Sequence, residues 1–268
     1  MTYHHHKTSF VEQVKLGISQ VLGAFSFVSA NNAYWMFLVP AAISLLVFGL
    51  VFFGGYNFLP MLRTLVVELL PFDQWTSSWG ARLESFLGGF AMLLATALSI
   101  FLYISVYKYI LLVLLSPLLA YISERTEEIE TGANYPFSWP QLLKDAWRGI
   151  KLSTFNFIKE ITLVIILFLL GLIPGAAVVT TPLIFLIQSY FVGFSMIDYF
   201  LERRRLSPGE SRRTVKGLRG LSVSTGAVFN ALLFVPVIGV LLGPPLAAIA
   251  ATRSLVKLET KQDLTAAN

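Results

Sequence analysis

The chain contains no cysteine, and its three histidines stand together at His4, His5 and His6. Thiol catalysis, disulfides and thiolate metal sites are therefore excluded. The histidine run reads as a floppy terminus, and no histidine outside it exists to complete a proton relay or metal centre. Charge is also scarce. Asp, Glu, Lys and Arg make up 13% of the 268 residues, about half the share of an ordinary soluble domain. No glycine-rich loop leads into Lys-Ser or Lys-Thr, so nucleotide-driven chemistry has no footing. Serines occur without a partner base, so no catalytic residue is assigned. Residues 1–35 lack a short apolar core followed by a small-residue cleavage site, so the first spanning helix is expected to direct insertion. What fills the space is apolar: 56% of the residues, with a mean hydropathy of +0.71. These values point to an all-α integral membrane protein surrounded by lipid, with no cofactor and no metal.

The stretches without charge locate the spans. They run for 47 residues between Lys15 and Arg63, 23 between Glu84 and Lys108, 37 between Glu160 and Asp198, and 33 between Arg219 and Arg253. About 20 apolar residues cross a bilayer once. The first interval predicts a span over 36–59, preceded by an amphipathic helix over 7–30. On that helix Phe10, Val11, Val14, Ile18, Val21, Leu22, Phe25 and Val28 form one face, with Lys7, Glu12, Gln13, Ser19 and Gln20 opposite. It lies either on the membrane surface or against the bundle. The second span covers 87–123 with a cytoplasmic extension; Lys108 snorkels and Pro117 marks a kink.

The last two intervals are long for one span and short for two. Each is punctuated in its middle, by Pro174 and Gly175 in one and by Pro236 and Gly239 in the other. This pattern predicts two helical hairpins, over 161–198 and 221–257, with arms of roughly 11–16 residues. Such arms reach about 16–24 Å, less than the hydrocarbon core, so the hairpins enter and return. The alternative is two tilted, tightly turned crossings. Residues 60–86 are expected as an external loop with Trp75 and Trp79 at the interface, 124–160 as a cytoplasmic helical segment, and 259–268 as a disordered tail. Eighteen of the 20 Lys and Arg residues then lie on one side. Both termini face the cytoplasm by the positive-inside rule. The basic stretch 203–219 reads as an ordinary cytoplasmic loop or as an anionic-lipid patch. No aromatic residue is interleaved there to stack on bases, which disfavours nucleic acid.

Three segments resemble the CysZ sulfate-permease family, in the etoposide-induced-protein group. They are Ser116-Pro117 through Ser123-Glu124-Arg125-Thr126-Glu127; Ile173-Pro174-Gly175 through Pro182 to Asp198-Tyr199; and Phe234 to Gly239 followed by Pro244, Pro245 and a small-residue helix ending near Lys257. The resemblance implies two long transmembrane helices plus two re-entrant hairpins, assembled as a homo-oligomer in the inner membrane. It implies uptake of sulfate or a similar oxyanion for cysteine synthesis. A membrane scaffold of the same fold is the alternative. The family pattern has an Arg-Arg pair about six residues before the proline of the first span; Tyr34 and Trp35 stand there, preceded by Asn31 and Asn32. Amides donate hydrogen bonds to an oxyanion without supplying charge. Glu124, Arg125 and Glu127 form a candidate gating cluster, or a solvated helix face. Thr180 and Thr181, beside the start of a hairpin arm, are candidate donors to an anion, as are the helix N-termini near 176–182 and 243–245.

Overall fold

The computed structural model describes residues 8–69, 81–134, 138–173, 175–235 and 238–266. These form eight helices and, among the described residues, no strand. In chain order they are α1 (Phe10–Ala30), α2 (Trp35–Leu69), α3 (Ala81–Thr131), α4 (Trp139–Gly171), α5 (Ala177–Arg203), α6 (Pro208–Gly217), α7 (Arg219–Leu233) and α8 (Ile238–Ala266). Two compact units are present, one from the residues up to Leu45 and from Leu112 onward, the other Leu46–Leu111. The stretches Tyr107–Thr131, Trp147–Gly171 and Ala177–Arg203 are each long and apolar enough to cross a bilayer. The protein is an all-α membrane protein.

α1 starts in a capping box. The Ser9 hydroxyl accepts from the Glu12 backbone N–H, and the Glu12 carboxylate accepts from the Ser9 N–H. Both orphan donors are thereby satisfied. The helix packs against α7 and α8. Its inward face is Gln13, Gly17, Gln20, Val21, Ala24, Phe27 and Val28. Of the apolar stripe read from the sequence only Val21 and Val28 are buried, while Phe10, Val11, Ile18, Leu22 and Phe25 point outward. The helix therefore docks by its small and amide-bearing side, and most of its hydrocarbon side faces lipid. Gln13 shows why. Its Nε2 donates to the Gly217 carbonyl at 2.9 Å, and its Oε1 accepts from the Gly220 N–H at 2.9 Å. A buried amide needs such partners. An exposed leucine needs none when its surroundings are hydrocarbon.

The centre of the larger unit is the crossing of α5 and α7. A Cβ added at Gly193 would collide with the Ser222 backbone, and one at Gly226 with the Ser189 backbone. Only glycine permits this approach. Side-chain hydroxyls and amides then bond across it. Ser222 Oγ donates to the Tyr190 carbonyl at 2.8 Å, and Asn230 Nδ2 to Ser189 Oγ at 3.3 Å. α8 adds a small-residue face, with Ala247, Ala248, Ala250 and Ala251 buried. In the smaller unit Phe48 and Tyr107 meet edge-on at 6.3 Å, and Ser99 Oγ bonds back to the Ala95 carbonyl at 2.7 Å. Lys108, expected to snorkel, is instead buried, with its ammonium 5.1 Å from the Tyr109 ring centre.

Several boundaries differ from the sequence reading. Residues 60–69 and 81–86, placed in a loop, are helical; Trp75 and Trp79 lie outside the described residues. In the expected helical segment 124–160 the chain breaks after Thr131, where Gly132 takes φ +72°, and restarts at Trp139. The tail expected to be disordered from 259 is helical to Ala266. The hairpin turns fall where expected, after Gly171 and after Leu233, but α4, α5 and α8 are longer than the expected arms, while α7 keeps to their length. α4 and α5 have 33 and 27 residues, against 15 and 29 for α7 and α8. At 1.5 Å per residue α5 is about 40 Å long and α7 about 22 Å. Pro174 and Pro236 lie outside the described residues. Gly175 takes φ +84°, a left-handed conformation suited to glycine. Gly239 has no such φ; it sits so close to the end of α7 that a Cβ would strike the Leu232 carbonyl.

α6 is closed by a second capping box, between Ser207 and Glu210. The Ser207 hydroxyl, then its backbone N–H, holds the Glu210 carboxyl below its ordinary value. That stabilisation is present above the ordinary carboxylate pKa and fades as pH falls through the lowered one.

Gly226→Leu is expected to abolish the folded, monodisperse species in detergent chromatography. Gly209→Ala, at an open site, is expected to leave it unchanged.

Candidate functional site

α5 carries no charge from Ala177 to Ile197 and then presents Asp198, Glu202 and Arg203, with Arg204 just beyond. Asp198 and Glu202 are one helical turn apart and share a face. Both are buried and both meet Arg148 of α4. Its Nη2 donates to Asp198 Oδ1 at 3.2 Å and to Ser211 Oγ at 2.9 Å. Its Nη1 lies 3.2 Å from Glu202 Oε1, an ion pair whose angle is not that of a hydrogen bond. Asp198 thus pairs with a residue 50 positions earlier in the chain.

Arg203 and Arg204 turn the other way and share one carboxylate. Glu127 of α3 is 2% exposed. Its Oε2 accepts from Arg203 Nε at 2.9 Å and Nη2 at 2.7 Å, and its Oε1 lies 2.7 Å from Arg204 Nη2. Arg204 also forks onto Glu259 of α8, at 3.2 and 2.7 Å. Arg203 reaches Ser123 Oγ at 3.0 Å, and that hydroxyl shares a 2.7 Å hydrogen bond with Thr252 of α8. Both guanidiniums lie over the Phe200 ring, 5.4 and 4.3 Å from its centre. A third pair, Arg253 with Glu130, ties α8 to α3, and Arg253 also donates to the Gly23 carbonyl of α1 at 3.2 Å. Ions buried in this way hold only with full pairing. The network joins α3, α4, α5, α6 and α8 at one end of the larger unit.

The candidates from the sequence disperse. Glu127 sits at the centre of the network. Glu124 is half-buried and engaged. Arg125 points outward and pairs with Glu128 at 2.7 Å, its side chain 50% exposed. Asn31 closes α1: its Nδ2 donates to the Phe27 carbonyl at 2.8 Å. Asn32 takes φ +51° in the turn that lets α1 meet the start of α2 at 111°. Tyr34 shares a hydrogen bond with Ser29 at 3.1 Å, and Trp35 stacks at 5.3 Å on Tyr121. Thr180 is buried beside Gly171 at the hairpin turn, and Thr181 is exposed. No hydrogen bond or ion pair among the described residues links Asn31, Asn32, Thr180 or Thr181 to the Glu127 network. α5 does begin at Ala177, without a side-chain cap. Gly243, Pro244 and Pro245, read as a second arm start, lie inside α8, which begins at Ile238. Sequence reasoning missed Arg148, Glu202, Arg203, Arg204 and Glu259 as a set. The available signal was the turn-spaced pair Asp198 and Glu202 ending an otherwise uncharged helix.

No cluster of three metal-ligating side chains occurs among the described residues. Removing a buried partner is expected to separate the two arms of the Glu127 motif. Glu127→Ala removes the carboxylate that Arg203 and Arg204 share, leaving Arg204 on Glu259, and should cost roughly 3–5 kcal/mol, read as a large fall in thermal midpoint in detergent. Arg125→Ala breaks an exposed pair and should shift stability by less than about 1 kcal/mol.

The family described as sulfate transporter CysZ/etoposide-induced protein 2.4 matches residues 20–244. A sulfate transporter CysZ of Pseudomonas syringae pv. tomato is 25% identical over 217 residues, covering 80% of this chain and 81% of that protein. Those of Pseudomonas paraeruginosa and Pseudomonas aeruginosa are 24% and 23% identical over 215 residues, covering 80% of this chain and 82% of theirs. The family is one of transporters, not of enzymes. With the match extending over most of the chain, the protein belongs to the sulfate transporter CysZ/etoposide-induced protein 2.4 family.

Proposed function

We propose that this chain carries sulfate or a closely related tetrahedral oxyanion across the cytoplasmic membrane. The family match over residues 20–244 carries the reading. The buried arginines fit it chemically. Arg203 and Arg204 are partly withdrawn from solvent, their side chains 9% and 27% exposed, and are held by Glu127 and Glu259. An oxyanion arriving there exchanges with a carboxylate and inherits charge-assisted hydrogen bonds. The first turn of α5, with Thr180 and Thr181, offers backbone and hydroxyl donors at the far end of the same helix. Asn31 and Asn32 serve as neutral donors at the α1–α2 bend. Glu124 and Arg125 line the approach to Glu127 on α3. The pore is a homo-oligomer in the inner membrane with both termini cytoplasmic. Orientation does not depend on how deep the hairpins go, because a hairpin returns the chain to its starting side whether it dips or crosses. The lengths favour different depths: α4 and α5 exceed the roughly 30 Å core, and α7 falls short of it.

Two experiments test the proposal. Proteoliposomes are expected to show saturable sulfate uptake. Tight vesicles holding folded protein but no flux would leave only the scaffold role. Arg204→Gln should lower uptake about tenfold or more, as expected for a charge-assisted bond. Asn31→Ala with Asn32→Ala should cost only a few-fold, as expected for neutral ones. Thermal stability of each variant separates lost transport from lost fold. For topology, single cysteines at the exposed positions Val178 and Phe234 avoid the strained glycines. Val178→Cys is expected to react with a membrane-impermeant maleimide from outside, and Phe234→Cys is not.

A further inference from the structure

The ion-pair network leaves four cations of the same region unused. A cavity of about 520 Å³ opens between α4, α5 and α6, and Lys159, Arg212, Arg213 and Lys216 line it. No acidic residue lines this cavity, and no salt bridge among the described residues holds any of the four. The cations are gathered by two elements. Lys159 comes from α4; the other three come from α6, whose capping box with Ser207 fixes the start of the helix. Lys159 and Arg212 both lie over the Phe155 ring, 4.4 and 4.7 Å from its centre.

The second observation is polar and buried. Asn156 also lines the cavity, is 2% exposed, and its Nδ2 has no hydrogen-bond partner. An unsatisfied buried donor costs on the order of 1–3 kcal/mol. It is tolerated where something outside the protein completes it. Donor and cations alike call for an oxyanion.

The remaining wall is apolar, formed by Tyr190, Phe191 and Phe194 of α5. The aromatic residues absent from the basic stretch itself are thus supplied by neighbouring helices. A second cavity of about 410 Å³ shares Phe155 and Arg212 and adds Lys144, Lys151 and Trp147, with Lys151 over the Trp147 ring at 5.1 Å. On the same helix Ile158 and Phe155 point outward onto the lipid-facing surface. A small free anion has no use for these aromatic walls. An amphiphile with an anionic head does.

We propose that the cavity between α4, α5 and α6 binds the phosphate headgroup of an anionic phospholipid, with Lys159, Arg212, Arg213, Lys216 and Asn156 as its donors. The site shares no residue with Glu127, Arg203 and Arg204, and lipid retention is measured without reference to sulfate flux. The full chain is delipidated in detergent in chloride buffer free of phosphate and sulfate. Phosphatidylglycerol and phosphatidylcholine are then titrated separately and bound lipid is counted by native mass spectrometry. One phosphatidylglycerol per chain is expected to be retained in preference to phosphatidylcholine. Arg213→Gln with Lys216→Gln, both exposed, should weaken that binding roughly tenfold or more, since each cation near a lipid phosphate is worth a several-fold factor. Asn156→Leu should weaken it a few-fold. Lys15→Gln with Lys257→Gln removes the same charge elsewhere and should bind as the unaltered chain does. Equal retention of the two lipids, or equal loss in both double variants, would overturn the proposal. Displacement of the lipid by millimolar inorganic phosphate or sulfate would reassign the cavity to a free oxyanion and overturn the lipid identity.

Discussion

Hydrocarbon accepts a leucine at no cost and offers no partner to an amide or a guanidinium. Under that constraint the protein is turned inside out relative to a soluble bundle. α1 seats Gln13 and Gln20 inward and sends Leu22 and Phe25 outward. α5 and α7 meet at glycines and bond through Ser189, Ser222 and Asn230. Large side chains are not the adhesive there. Van der Waals contact between close backbones and a few interior hydrogen bonds take over where the hydrophobic effect no longer separates inside from outside.

The same constraint explains why charge is concentrated. Seven charged side chains, Arg148, Asp198, Glu202, Arg203, Arg204, Glu127 and Glu259, are drawn from four helices into linked pairs. Glu127 receives two guanidiniums, so one carboxylate ties α3 to α5, and Glu259 shares the second of them. A carboxylate shared in this way can be exchanged for a substrate anion without leaving an arginine bare, provided the substrate carries comparable charge. Structure and transport then use the same groups.

Much of the architecture could be read from where charge is absent. The intervals free of Asp, Glu, Lys and Arg placed the helices, and Gly175 and Gly239 marked the turns. The arms came out too short because a charged residue was taken to end a span. Lys151, Lys159 and Glu160 in fact continue α4 by one long helix, with Lys159 lying along Phe155 and Glu160 buried. The facing of α1 was hidden for a different reason. An amphipathic pattern says which residues share a side, not which side is wet. Asp198 has arginines close by in sequence, at 203 to 205. On a helix, residues five and six further on point elsewhere, and the correct partner, Arg148, comes from a neighbouring helix. Such pairings depend on tertiary placement and leave no local trace. The basic cavity was half legible: three of its cations stand in one stretch, Lys159 and its aromatics in two others.

α1 has its anchors more than 200 residues further along the chain. Gln13 bonds to Gly217 and Gly220, and Gly23 accepts from Arg253. At usual elongation rates of about 5–20 residues per second, more than 200 residues separate these partners by roughly ten to forty seconds. Throughout that wait α1 presents unpaired glutamines beside a greasy flank. Its early life is therefore spent as a lodger at the bilayer surface or under the care of the insertion machinery. Only once Gly217, Gly220 and Arg253 have been made does it become part of the bundle.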